Sequence, residues 1–148
     1  MSTRSRISII NSDGKVRSIY CHHDGYLDYV GKKLVDFYDN EKVINELLDL
    51  GDLSSLGNNP VSDKLYWERR NSRQFEYQYN EEFCIAYRDR GETDIDAKEF
   101  NSFDEFKEVF PYLQEEYNYV FMNGKWYYCE DEWSGETLDN LRLVEENL

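Results

Sequence analysis

Tyr117-Asn118-Tyr119-Val120-Phe121-Met122-Asn123-Gly124-Lys125-Trp126-Tyr127-Tyr128-Cys129 decides the fold. Two runs rich in aromatic and β-branched residues flank a central Asn-Gly. That dipeptide tolerates the positive φ angles of a two-residue turn, so the stretch predicts a β-hairpin. A second hairpin is expected at the other end of the chain. There Arg6-Ile7-Ser8-Ile9-Ile10 and Val16-Arg17-Ser18-Ile19-Tyr20 flank a turn around Asp13-Gly14.

Between the hairpins the period changes from two to three and four. Leu27, Val30, Leu34 and Phe37 form the stripe of one helix. Val43, Ile44, Leu47 and Leu48 form that of a second, capped by Asp39 or Asn40 and stopped at Gly51. Gly31 inside the first helix is costly relative to alanine and points to a close packing partner. Residues 52–60 read as a loop. Phe83-Cys84-Ile85-Ala86-Tyr87 reads as a central strand, and the alternation Gln74 to Tyr79 as a strand edge. Ser102 and Glu105 make a capping box for a helix that runs toward Pro111. Leu138, Leu141 and Val144 suggest a closing helix over 138–146. Hairpins separated by helices imply an α+β fold. We expect one domain, 1–148, with a mostly antiparallel sheet and helices packed on one side.

The chain of 148 residues has a net charge of −14, and the charge is unevenly placed. Residues 1–42 hold seven Lys/Arg and six Asp/Glu, while residues 91–148 hold four and sixteen, a local balance of −12. Such a surface disfavours direct nucleic-acid binding, which needs cations to displace counterions. It favours a basic partner and fast, salt-sensitive association. The carboxylates expected to take part are Glu92, Asp94, Asp96, Glu99, Asp104, Glu105, Glu108, Glu115, Glu116, Glu130, Asp131 and Glu132. Interspersed with aromatic rings, they can imitate the phosphate array of DNA. No run approaches the roughly 20 apolar residues that span a bilayer, and no secretory signal is read at the N-terminus. Cys21, Cys84 and Cys129 are odd in number and widely spaced, which suits buried thiols in a reducing cytoplasm.

Cys21-His22-His23-Asp24 concentrates ligand-type side chains in four consecutive residues. On a strand Cys21 and His23 face one way, and His22 and Asp24 the other. Four neighbours therefore make a poor metal site and a poor Cys–His catalytic pair, and neither a metal nor a cofactor is expected. A second candidate is a polar pocket in which His22 and Asp24 meet Asp89, Arg90 and Glu92, suited to acid–base work or to binding an anion through Arg90.

Three blocks resemble a family of small, mostly uncharacterised proteins carried by bacteriophages, prophages and other mobile elements. The first is Ser5-Arg6-Ile7, then Gly14 to Leu34 around Cys21-His22-His23-Asp24-Gly25-Tyr26, continued by Leu50-Gly51-Asp52-Leu53-Ser54-Ser55-Leu56-Gly57. The others are Tyr87-Arg88-Asp89-Arg90-Gly91-Glu92 and Asn123-Gly124-Lys125-Trp126-Tyr127. His23 stands where the family pattern has Trp. The resemblance implies a mobile-element context and, with the acidic surface, an inhibitor of a host defence enzyme of the anti-CRISPR or anti-restriction type. A small enzyme or ligand-binding domain and a regulatory homodimer are the alternatives.

Overall fold

The computed structural model describes residues 2–70 and 80–148. The alternation expected over Gln74 to Tyr79 lies outside the described residues. Both hairpins form. β1 (Ser5–Ile10) pairs antiparallel with β2 (Val16–Cys21), and β6 (Tyr117–Met122) with β7 (Lys125–Glu130). Asn123 and Gly124 take φ of 53° and 78°, as the tight turn requires. The hairpins join through β1 and β6, which run parallel with Ile7 opposite Tyr119.

Three short strands extend the sheet. β3 (Leu53–Ser55) and β4 (Ile85–Ala86) follow β2, and β8 (Arg142–Leu143) follows β7. The order is β4-β3-β2-β1-β6-β7-β8, and β5 (Lys98–Phe100) also pairs with β2. The fold is α+β with a mostly antiparallel sheet, as the hairpin pattern implied.

Alternation along the strands creates two apolar layers. Ile7, Ile9, Ile19, Cys21, Tyr119, Phe121, Trp126 and Tyr128 point to one face. That face is covered by α1 (Lys32–Phe37) through Leu34 and by α2 (Glu41–Leu48) through Ile44, Leu47 and Leu48. A π-helical turn, Leu27–Gly31, leads into α1. The close partner expected at Gly31 is the Tyr119 ring, whose hydroxyl lies 3.3 Å from where a Cβ would stand. The Asn40 side chain caps α2 by accepting from the Val43 amide at 3.0 Å.

The opposite face carries a smaller core of Val16, Val120, Cys129, Phe100, Phe106, Leu113 and Leu138. It is covered by α4 (Phe103–Val109), so helices flank both sides of the sheet rather than one. The second side was missed because the aromatic spacing Phe103, Phe106, Phe110 names an apolar stripe but not the face it covers. The Ser102 hydroxyl caps α4 through the Glu105 amide at 3.1 Å. The helix stops at Val109, before Pro111.

Three further expectations are corrected. Residues 52–60 contain β3, because the Leu53 and Ser54 carbonyls accept from the His22 and His23 amides at 3.0 Å each. β4 lies at the sheet edge rather than at its centre. It is nonetheless buried, because α3 (Tyr66–Arg70) covers it and the Trp67 indole donates to the Ala86 carbonyl at 2.9 Å. The segment 138–146 is not helical. Its residues Leu138 and Val144 are buried in different cores, so the chain crosses from one face to the other as β8 instead of presenting one stripe. Among the described residues no helix is long and apolar enough to cross a membrane.

Of the glycines, Gly57 leaves the least room for a side chain. A Cβ there would stand 2.3 Å from the Phe83 carbonyl carbon, backbone that cannot swing aside. Gly57→Ala is expected to cost about 3 kcal/mol in urea unfolding, as a core overpacked against rigid neighbours does. Gly14→Ala meets nothing within 4 Å and strains only a positive φ, so it is expected to cost about 1 kcal/mol.

Candidate functional site

The residues Cys21 to Gly25 form the joint where β2 ends. His22 and His23 continue the pairing with β3, and Asp24 then turns the chain with φ of 56°. The Gly25 amide donates to the Thr3 carbonyl at 2.8 Å, and the Tyr119 hydroxyl donates to the Gly25 carbonyl at 2.7 Å. The joint is thus tied to the N-terminal segment and to β6. The two imidazoles meet edge to face at 4.6 Å between centroids. His22 Nδ1 lies 2.7 Å from the Tyr20 hydroxyl, on the face of β2 opposite Cys21. His23 Nδ1 lies 2.9 Å from the Ser2 hydroxyl. Burial, followed by the neighbouring His22, lowers the His23 pKa, so its ring is neutral at pH 7.

The thiols are not poised for nucleophilic chemistry. Cys21, Cys84 and Cys129 are free and buried. Burial raises their pKa values to about 12, 11 and 12, so the reactive thiolate is suppressed. Among the described residues no group of three His, Cys, Asp or Glu side chains is arranged to hold a metal ion.

A cavity of about 520 Å³ opens beside the joint, lined in part by His23, Asp24, Ser54, Ser55, Arg70 and Glu81. Of the five residues expected to share a pocket, only Asp24 lines it. His22 is turned to Tyr20. Arg90 lies over the rings of Trp67 and Tyr87, 4.5 and 5.0 Å from their centroids, and pairs with Glu92 at 2.9 Å. Asp89 lies 3.9 Å from Arg88. Arg90, with Glu92 paired to it, thus belongs to an aromatic cluster beside β4, and Asp89 stands next to it on a turn of 3-10 helix, Tyr87–Arg90. The sequence signal for the cavity was the pair Ser54-Ser55. It was read as loop because a three-residue strand has too few positions to show a period.

The acidic residues divide into two groups. Glu92, Asp94 and Asp96 lie on the loop that packs against Gly51 through Ile95. Of the others, Asp104, Glu105 and Glu108 lie on α4, and Glu115, Glu116, Asp131 and Glu132 on the segments that close over the second core, whereas Glu99 on β5 and Glu130 on β7 alternate onto the first-core face. Two contacts hold those segments together: Lys107 bridges Asp104 and Asp139 at 3.6 and 3.3 Å, and the Glu132 amide donates to the Leu113 carbonyl at 2.9 Å. Several of these carboxylates are engaged within the fold. Glu115 pairs with the buried Arg6 at 3.3 Å, Glu116 with Arg4 at 3.3 Å, Glu130 with Arg142 at 3.1 Å and Glu99 with Arg17 at 3.5 Å. Asp131 caps the turn Glu132–Ser134, accepting from the Ser134 amide at 3.1 Å. Glu105, Glu108 and Glu132 form no ion pair among the described residues.

Two measurements check this description. In native protein at pH 8 none of the three cysteines is expected to react with a thiol reagent within the time that releases all three in denaturant. Rapid labelling of Cys21 would contradict its placement. By NMR, His23 is expected to titrate below the free-histidine value of about 6.5. The neutral ring stabilises the fold above that pH, and the contribution fades as pH falls through the depressed folded-state value.

No family model, curated protein or solved structure matches the chain.

Proposed function

We propose that this chain is an accessory protein of a phage or other mobile element that works by binding a basic, nucleic-acid-handling host protein. A defence nuclease of the CRISPR or restriction type fits that description. The acidic layer over the second core is the binding surface, and its carboxylates occupy positions that phosphates take in the partner's groove. One observation supports this reading: the segments that close over the second core, residues 102–116 and 131–140, hold nine acidic residues and one basic one, Lys107. Within that layer Glu105, Glu108 and Glu132 remain available to outside cations. Charge concentrated on one side steers a basic partner and speeds association at low ionic strength.

The cavity beside His23 supports a second reading. Arg70, Ser54 and Ser55 line it together with Asp24 and Glu81, a mixed polar set suited to a small polar ligand.

The binding reading is tested by measuring salt dependence. A tagged chain is expected to retain basic nucleic-acid enzymes from a bacterial lysate at low salt and to release them at high salt. Glu108→Lys with Glu132→Lys is expected to reduce retention at least about tenfold, the effect of reversing two contact charges. Equal retention by that variant would remove the acidic layer as the contact surface.

A further inference from the structure

The acidic layer presents three large apolar side chains to solvent. Trp133 is 91% exposed, Tyr112 72% and Val109 56%, the highest values among the large hydrophobic residues described. All three belong to the same layer. Val109 ends α4, and Tyr112 and Trp133 each sit one residue from the bond between the Glu132 amide and the Leu113 carbonyl. The backbone under Trp133 is held in place. Asp131 caps its turn, the Gly135 amide returns to the Glu132 carbonyl at 3.0 Å, and Gly135 closes the turn with φ of 77°. An indole presented on a capped turn is a pre-organised anchor of the kind found at the centre of protein interfaces.

The combination of charge and rings discriminates between partners. A duplex hides its bases in the stack, so a groove that binds duplex backbone is satisfied by negative charge alone. A single-strand channel pairs cations that follow the backbone with aromatic side chains on which exposed bases stack. A ligand for such a channel must offer flat rings between its negative charges. Tyr112 and Trp133 among Glu105, Glu108 and Glu132 have that composition. A second copy is a poorer occupant, since it brings the same charge of −14. An anionic membrane surface is excluded for the same reason.

We propose that this layer docks in the single-strand channel of a basic nucleic-acid-binding protein. Trp133 and Tyr112 take the stacking positions of bases, and Glu105, Glu108 and Glu132 the positions of phosphates. The proposal rests on the reading that the acidic layer binds a basic partner, and it adds the class of channel.

The test immobilises the full chain, loads bacterial lysate at low salt, and elutes parallel columns with oligo-dT or with duplex DNA of equal nucleotide concentration. A second column carries Trp133→Ala with Tyr112→Ala, and a third carries Glu105→Gln, Glu108→Gln and Glu132→Gln. These side chains are surface groups, and circular dichroism confirms that each variant is folded. The expected result has two parts. Oligo-dT displaces the retained protein at a concentration at least about tenfold below that of duplex, and the ring variant retains at least about tenfold less. Displacement by duplex as readily as by oligo-dT, with full retention by the ring variant, overturns the single-strand assignment and leaves the acidic-layer reading standing. Full retention by the carboxamide variant, or no retention by the native chain, overturns both.

Discussion

β1 has no free edge. Its amides and carbonyls are bonded to β2 on one side and to β6 on the other, and these two sets of bonds unite segments more than a hundred residues apart. Without the parallel register of Ile7 against Tyr119, the sheet would divide into two smaller ones, β4-β3-β2-β1 with β5 and β6-β7-β8. With it, alternate residues of four strands align into two continuous faces. Each face is large enough to bury a helical layer, and the two cores of the protein follow from that alignment.

Three ring-bearing side chains connect the main layer to its helices. The Tyr38 hydroxyl donates to the Gly57 carbonyl, the Tyr119 hydroxyl to the Gly25 carbonyl and the Trp126 indole to the Tyr38 carbonyl, each at 2.7 Å. Each bond satisfies a backbone carbonyl that would otherwise be buried without a partner, and each ring buries a large apolar area beside it. The second face is more polar. Arg6 lies there almost fully buried, bonded to the Ser18 hydroxyl at 3.1 Å and to Glu115 at 3.3 Å, with its guanidinium 4.7 Å from the Phe110 ring centroid. A buried ion pair contributes little net stability, because desolvation offsets the attraction, but losing either partner strands a charge. Arg6 therefore holds the segment after α4 in register against the sheet.

The ligand-type side chains and the exposed rings occupy different places in this molecule. The residues that look most like a catalytic motif, Cys21 to Asp24, are committed to backbone geometry where β2, β3 and the N-terminal segment meet. Their thiol is buried, and both imidazoles are engaged with hydroxyl groups. The layer that closes the second core carries exposed rings and, among the described residues, carboxylates outside any ion pair instead.

Local signals were legible in the sequence wherever one interaction settles the structure. Asn123-Gly124 requires a tight turn, Asn40 and Ser102 cap helices, and Gly31 leaves room for a ring. The acidic bias of the last 58 residues was equally plain. Strands of two or three residues were not legible, because β3, β4 and β8 are stabilised by partners distant in sequence and show no period of their own. The apolar stripe over 138–146 misled for a related reason. Spacing records that Leu138 and Val144 are buried, and only the tertiary fold determines that they are buried on opposite sides. The pocket expected around Arg90 met the same limit. Asp24 and Arg90 carry suitable charges, but Trp67 and Glu92 hold Arg90 in another cluster. Sequence alone determined what each segment can form and where the charge lies. The packing of two faces decided which segments meet, because burial is a property of the assembled sheet and not of any one strand.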